Sequence, residues 1–236
     1  MASITAPGTP YAPTTHDPAP VAPAARRGWA RAGLAAGVLG LVAFMSSGGM
    51  AVPEDALADN AEVLRELADT GTWVWLFQSL MSAAALGLVV FGAGLKRRLD
   101  EQEPVGSLTG TVAFVGTLLA AALCLVGGGI STELFWQLMA ANDDITSVDP
   151  DTVAANLAIY NTMGWVWAGV GLSAGAVAVA GLRHDSVGRK LAWFSAVMAG
   201  LVGLLQLIPL QYLAALPAAL WLIVVGVAMS RRPATA

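Results

Sequence analysis

The chain alternates between long apolar runs and short polar segments. Six apolar runs without an internal charge extend over residues 32–52, 73–95, 105–130, 160–182, 191–210 and 212–229. A helix rises 1.5 Å per residue, so a run of about 20 residues crosses the roughly 30 Å of hydrocarbon in a bilayer. The pattern therefore predicts an all-α, polytopic membrane helix bundle with six transmembrane helices.

One of these runs occurs twice. The tripeptide Trp-Val-Trp begins the second run at residues 73–75 and recurs near the start of the fourth run at residues 165–167. Both runs then contain a Ser-Ala-small-Ala block, at residues 82–85 and 173–176, and both end in basic residues. We interpret the repeat as a duplicated helix hairpin whose two copies cross the membrane in the same direction.

The polar segments after the first and third runs also have helical patterns. Residues 53–70 carry acids in the first turn and place Leu64 and Leu67 on one face, which predicts a short amphipathic helix. A second helical segment is predicted over residues 133–158. Within it, Asp149 and Pro150 suit an N-cap and a first turn, from which we expect the helix to continue unbroken into the fourth run.

The N-terminal segment has a different composition. Residues 1–28 consist largely of Ala, Pro and Thr and contain no apolar run, which predicts a disordered cytoplasmic tail before a bundle formed by residues 29–232. A docking function for this tail stays open. So does a twin-arginine export signal at Arg26 and Arg27, although a retained first helix fits the even number of spans.

The overall composition agrees with a membrane location. Apolar residues make up 56% of the chain and charged residues 12%, and the mean hydropathy is +0.67. An ordinary soluble domain has about 25% charged residues. We therefore expect the lipid bilayer to be the main partner, and we expect no nucleic-acid partner. The high Ala and Gly content is typical of a bacterial plasma (inner) membrane protein.

The charged residues are sorted between alternate joints of the predicted bundle. Every Lys and Arg except Arg65 lies before the first run, in the second and fourth joints, or after the sixth run. The first and third joints are acidic. Because Lys and Arg are retained on the cytoplasmic side, both termini are predicted to be inside and the acidic joints outside.

Tryptophans cluster near the predicted membrane boundaries. Such aromatic belts are common in membrane proteins, and a tryptophan cage for a cationic ligand is the alternative interpretation. The residues predicted at the outer boundary are Trp73, Trp75, Trp136, Trp165 and Trp167. Small residues spaced four apart, such as Gly171 and Gly175, predict close helix packing within the chain, with a homodimer face as the alternative.

Polar side chains within or beside the spans gather in the outer third of the bundle. One interpretation is interhelical hydrogen bonding, which contributes about 0.6 kcal/mol per bond. The other is a shallow pocket, open to the outside, for a small polar or amphipathic ligand. The residues predicted to form this pocket are Gln78, Glu133, Gln137, Asn161 and Gln206.

Motifs for catalysis are missing from the sequence. The chain has two histidines, His16 and His184, which cannot supply a bis-His haem site, a zinc site of His ligands or a Ser-His pair within the membrane. No Gly-rich loop ends in Lys-Ser or Lys-Thr. We therefore expect no catalytic residue, cofactor or metal site. Calcium bound by acids such as Asp143 and Asp149 is the alternative, but their spacing matches no known calcium loop.

The pattern from Trp29 to Arg232 resembles small six-span bacterial integral membrane proteins of unknown function. The likeness rests on the topology and on the basic joint Gly-Arg-Lys-Leu-Ala-Trp at residues 188–193. It implies neither an activity nor site residues. We expect a non-enzymatic sensor, regulator or accessory subunit that acts through its outer face, a membrane partner or a homodimer. The alternative is a transporter or permease for an apolar or amphipathic small molecule.

Overall fold

A computed structural model describes residues 28–231, and all regular structure in this range is helical. The predicted tail, apart from Gly28, and Arg232, the last residue of the predicted bundle, lie outside the described residues. The eight α-helices of this range are α1 (Gly28–Ser46), α2 (Asn60–Leu67), α3 (Gly71–Asp100), α4 (Thr109–Asp143), α5 (Pro150–Asn161), α6 (Trp167–His184), α7 (Arg189–Leu207) and α8 (Ala215–Arg231).

Six helical stretches in this range are long and apolar enough to cross a membrane. They are Gly28–Met50, Asn60–Asp100, Thr109–Asp143, Pro150–His184, Arg189–Leu207 and Gln211–Arg231. Each contains one of the six predicted runs or most of it, so the helical fold and the number of spans agree with the sequence. Two of the stretches also include the short helices α2 and α5, which precede α3 and α6.

The spans pack as a closed ring. Helix α1 packs against α3 and α8, α4 packs against α3 and α6, and α7 packs against α6 and α8. Glycines bring the backbones together at these crossings. A methyl group at Gly37 would lie 2.9 Å from the carbonyl oxygen of Ala219 on α8, and one at Gly87 would lie 3.0 Å from that of Ala32 on α1. In lipid the hydrophobic effect does not drive helices to associate, so the van der Waals contact at such close crossings stabilises the bundle instead.

The two ends of the ring differ in charge. We call the end that contains the 51–70, 144–166 and 208–214 joints the acidic end, and the opposite end, with the 101–108 and 185–188 joints, the basic end. Helices α2 and α5 pack against each other at the acidic end, where the Asn60 amide donates a hydrogen bond of 2.7 Å to Asp151. Helix α2 begins at Asn60, later than the predicted residue 53, because Asp59 caps its first turn.

The helix predicted to continue from Pro150 into the fourth run is one helical stretch, Pro150–His184, but its winding changes partway. Helix α5 ends at Asn161, and a 3-10 segment, Thr162–Val166, connects it to α6. The segment tightens the chain just before Trp167 and turns this side chain into the bundle, where it is 6% exposed. Trp167 therefore does not belong to a boundary belt, whereas the indoles of Trp73, Trp75, Trp136 and Trp165 are all exposed.

The half of the ring next to the basic end has an aromatic core. The ring of Phe91 on α3 lies 5.9 Å from Trp29 on α1 and 6.0 Å from Trp221 on α8, measured between centroids. Trp221 is fully buried, and its indole N–H donates a hydrogen bond of 3.0 Å to the Ser195 hydroxyl on α7. These contacts connect four helices, α1, α3, α7 and α8, at this level.

Candidate ligand-binding cavity

A cavity of about 300 Å³ lies inside the ring, next to the acidic end. Four parts of the chain form its wall: the end of α1 with the segment that follows it, the start of α3, the α5–α6 junction, and the start of the last span. The lining side chains that determine its chemistry are Phe44, Leu57, Phe77, Met81, Tyr160, Asn161, Trp167 and Tyr212. We refer to this space as the acidic-end cavity.

The wall of the acidic-end cavity is mainly apolar inside, and its exposed lining residues are both apolar and polar. Phe77 and Met81 are buried, and Phe77 contacts Tyr160 edge to face with 5.0 Å between ring centroids. The exposed lining residues are Ala51, Leu57, Asn161 and Tyr212. An apolar interior with two polar side chains at the exposed edge favours a ligand with an apolar body and one polar group.

Trp167 closes the cavity toward the middle of the bundle. Its ring packs against Gly40 on α1, where a methyl group would lie 2.6 Å from the indole. Gly40 lies one turn before the cavity-lining Phe44, on the side of the basic end. Phe91, which is fully buried, lies further along α3 than Phe77 by roughly 21 Å at 1.5 Å per residue. The aromatic core therefore begins below the cavity floor.

A glycine shapes the cavity wall at the α5–α6 junction. A methyl group at Gly164 would lie 2.9 Å from Cγ of Gln211 and 3.2 Å from the backbone nitrogen of Tyr212. The absence of a side chain therefore lets the joint between α7 and α8 approach the junction. The Gln206 amide fixes this contact, since it donates a hydrogen bond of 3.1 Å to the carbonyl oxygen of Gly164.

Of the five predicted pocket residues, one lines the acidic-end cavity. Asn161 lines the acidic-end cavity, and Gln206 supports its wall through Gly164 without lining it. Gln137 on α4 accepts a hydrogen bond of 3.0 Å from Asn156 on α5. This pair is an interhelical bond of the kind that the alternative interpretation describes. Glu133 is exposed and Gln78 is partly buried, and neither contributes to the cavity wall.

Three buried oxygen atoms near the acidic end have no hydrogen-bond partner among the described residues. They belong to the side chains of Gln78, Tyr160 and Gln206. A buried polar group without a partner destabilises a fold by about 1 to 3 kcal/mol. Tyr160 is the member of this set that lines the cavity. Asn161 was predicted as a pocket residue, whereas Tyr160 and the remaining lining residues were not, although the repeated Trp-Val-Trp pattern marked the right region.

Three of the acids at this end, Asp59, Asp144 and Asp149, cap a helix or a turn. The carboxylate of Asp149 accepts hydrogen bonds from the Thr152 hydroxyl at 2.7 Å and from the backbone of Asp151 at 3.4 Å. The Thr152 bond lowers the pKa of Asp149, and a bond from the Thr146 hydroxyl lowers that of Asp144 in the same way. Within residues 28–231, no group of three or more His, Cys, Asp or Glu side chains is placed to hold a metal ion.

By the length and composition of its helices, the chain belongs to the class of multi-pass α-helical membrane proteins. No protein-family model, curated protein or solved structure matches it. A functional assignment therefore depends on the geometry and chemistry of the bundle itself.

Proposed function

We propose that the protein is a non-enzymatic membrane sensor, regulator or accessory subunit that binds a small amphipathic molecule in the acidic-end cavity. The proposal is carried by one observation: the bundle contains a cavity that is lined by residues of the acidic end, with the buried Trp167 in its wall. Binding would be communicated to a membrane partner or to a second copy of the chain through the helices that form the wall.

The size and lining of the cavity support a small ligand. Its volume of about 300 Å³ is at the lower end of the roughly 300 to 1000 Å³ that ligand pockets occupy. Aromatic rings and the thioethers of Met50, Met81 and Met163 suit an uncharged body, because methionine adapts its shape to the occupant. Asn161 and Tyr212 at the mouth offer hydrogen bonds to a polar end.

The orientation of the bundle is part of the proposal. We place the acidic end outside and both chain ends inside a bacterial plasma membrane, because Lys and Arg gather at the basic end. The duplicated hairpin is consistent with this arrangement, since both Trp-Val-Trp segments begin their spans from the acidic end. The ligand would then enter from outside the cell.

Orientation can be tested by chemical labelling. Asp149→Cys and Gln102→Cys would each be introduced into a Cys124→Ala background, which removes the only native thiol. We expect a membrane-impermeant maleimide to label the first variant in intact cells and the second only after lysis. The reverse pattern would place the acidic end in the cytoplasm.

Ligand binding can be tested with filled and unfilled cavities. The purified full-length protein in nanodiscs would be heated with indole, 4-ethylphenol or n-hexanol as probes. We expect at least one probe to raise the unfolding temperature of the wild type. Ala51→Trp, which fills the mouth, should abolish this shift, and Ala58→Trp, an exposed position outside the cavity, should retain it. Equal shifts in all three proteins, or none in the wild type, would refute the proposed site.

A transporter or permease is the competing function, and a flux assay separates the two. Transport would need a route past Trp167, Phe91 and Trp221, all of which are buried. Proteoliposomes loaded with the probe that stabilises the protein should therefore release this probe no faster than protein-free liposomes loaded in the same way. Faster release that Ala51→Trp blocks would favour the transporter.

A further inference from the structure

A second concave surface lies at the other end of the molecule. A groove of about 720 Å³ runs between the first two turns of α4, the joint before them, and α6. We call it the basic-end groove. Its walls are Pro104, Ser107, Leu108, Thr109, Val112, Gly171, Leu172, Gly175, Ala176, Val179, Arg183 and His184. None of these residues lines the acidic-end cavity, so the groove is a separate site.

The dimensions of the groove match one leaflet of a bilayer. Along α6 it extends from Gly171 to His184, which is roughly 20 Å at 1.5 Å per residue. Half of the hydrocarbon core is about 15 Å thick, so the groove reaches from the basic end to beyond the middle of the membrane. Its axis is parallel to the lipid chains.

The groove changes from apolar to basic along its length. The deep part contains Leu172, Ala176 and Val179, whereas the end at the membrane boundary carries Arg183 and His184. Both basic side chains are exposed. Arg183 makes no ion pair with any residue in the 28–231 range. Its guanidinium is therefore available to an anion that arrives from the bilayer.

Three acids lie near the basic end of the groove without lining it, and one of them, Asp100 beside Gly110, is paired with Lys96. Glu103 accepts hydrogen bonds from the hydroxyls of Ser107, Thr109 and Ser186, and these bonds hold its carboxylate in the joint between α3 and α4. Asp185 follows His184 at the end of α6 and is exposed. The first residues of α7, Arg189 and Lys190, add two positive charges after the turn. The local balance favours an anion.

We propose that the basic-end groove binds an anionic phospholipid, with one acyl chain along α6 and the headgroup phosphate at Arg183. Basic pockets between membrane helices on the side that carries the positive charge recognise such headgroups. Arginine binds a phosphate through two parallel N–H donors, which a zwitterionic headgroup engages less strongly because its own cation competes. The site requires a lipid, since a free phosphate could not use the apolar length.

The shape of the groove fits a lipid chain better than a partner helix. About 720 Å³ spread over roughly 20 Å gives a mean cross-section of roughly 36 Å². A helix with side chains is about 10 Å or more across, which corresponds to roughly 80 Å². An acyl chain can occupy the full depth, whereas a helix could only rest on the rim.

The proposal can be tested by comparing lipids with identical chains. Full-length protein would be stripped of lipid in detergent and titrated with phosphatidylglycerol or phosphatidylcholine, both dioleoyl. Native mass spectrometry would count bound lipids, and thermal unfolding would report stabilisation. We expect the apparent affinity for phosphatidylglycerol to be about fivefold higher or more, as one basic side chain near a membrane surface contributes about that factor. Equal affinity for the two lipids would overturn the proposal.

Two pairs of variants locate the site. Arg183→Gln should lose the preference for phosphatidylglycerol, whereas Arg97→Gln, an exposed arginine on α3 outside the groove, should retain it. Leu172→Trp fills the groove from an exposed position and should weaken the binding of both lipids. Leu119→Trp, on the surface of α4, should leave the binding of both unchanged. Equal losses in both members of a pair would mean a general surface effect.

Two further experiments identify which molecule occupies the groove. Glycerol 3-phosphate supplies the headgroup phosphate without acyl chains, and we expect it to give no stabilisation at lipid-equivalent concentrations. Stabilisation equal to that of phosphatidylglycerol would assign an anion site instead. Formation of a dimer in the lipid-free wild type that Leu172→Trp disrupts would assign the groove to a second copy of the chain.

Discussion

The two halves of the bundle are packed in different ways. Next to the basic end, Trp221 on α8 contacts Phe91 and also satisfies its indole N–H through Ser195. The buried Ser173 is paired in the same fashion, because its hydroxyl donates a hydrogen bond of 2.8 Å to the carbonyl oxygen of Ala113 on α4. Away from the basic-end groove on its surface, the interior of this half is densely packed, and its buried polar side chains among residues 28–231 have hydrogen-bond partners.

Next to the acidic end, the packing and the hydrogen bonding are both incomplete. This half contains the acidic-end cavity, and the side chains of Gln78, Tyr160 and Gln206 each bury an oxygen atom without a partner among residues 28–231. The comparison indicates that the basic half provides the stability of the fold. The acidic half retains space and polar groups for a ligand at the expense of some stability.

The largest expected effect comes from truncating the two buried tryptophans. Trp221→Ala should lower the free energy of unfolding by about 3 to 5 kcal/mol, the range for a large side chain removed from a dense core. The loss for Trp167→Ala should be smaller than that for Trp221→Ala by about 1 kcal/mol or more. One face of Trp167 already borders the cavity, so its removal breaks fewer contacts. Reversible unfolding of the full-length protein in mixed detergent micelles would measure both values.

This pair tests the comparison directly. The two variants remove the same side chain from two buried positions, so differences in transfer free energy largely cancel. A loss for Trp167→Ala as large as that for Trp221→Ala would mean that the acidic half is packed as tightly as the basic half. The proposed division between a stable half and a ligand-binding half would then fail.

The second prediction concerns the α4–α6 crossing in the dense part of the bundle. A methyl group at Gly116 would lie 2.5 Å from the carbonyl oxygen of Gly169 and 2.9 Å from the backbone nitrogen of Ser173. Gly116→Ala should therefore separate the two helices and destabilise the protein by about 1 to 3 kcal/mol, the usual range for overpacking. The same unfolding measurement would report it.

Gly129→Ala on the same helix is the matched control. No heavy atom lies within 4 Å of a methyl group at Gly129, so the substitution removes backbone entropy from the unfolded state without a clash. We expect a stabilisation of about 0.5 to 1 kcal/mol. If the free energy of unfolding falls for Gly116→Ala and rises for Gly129→Ala, then steric contact, and not helix propensity, decides the outcome. Equal signs would contradict the close approach at the crossing.

The spans were predictable because crossing a bilayer imposes a length and a composition on each of them. The run at residues 191–210 corresponds to α7, and the polar joint at 53–70 contains α2. Local signals also placed the N-cap at Asp149. The 3-10 segment Thr162–Val166 was not predicted, because its residues suit a helix and the tighter winding depends on packing against Gln211 and Tyr212.

The cavity was less predictable than the spans. Sequence reasoning selected polar side chains by depth in the membrane, and Asn161 is the one among those five that lines the cavity. The wall is formed mainly by apolar residues, such as Phe77 and Met81, whose patterns are the same in a core and in a pocket. Which face of each helix borders empty space is a property of the whole ring, so no local pattern encodes it.

The smallest expected effect contrasts one hydroxyl from each half. Tyr160→Phe removes an oxygen that has no partner among the described residues, so the free protein should be unchanged or more stable by up to about 1 kcal/mol. Ser195→Ala leaves the buried Trp221 indole N–H without its acceptor and should destabilise by about 1 kcal/mol. Unfolding in micelles without added probe would measure both. A stability loss for Tyr160→Phe as large as that for Ser195→Ala would show that the Tyr160 hydroxyl is satisfied, which would remove it as a contact for the ligand.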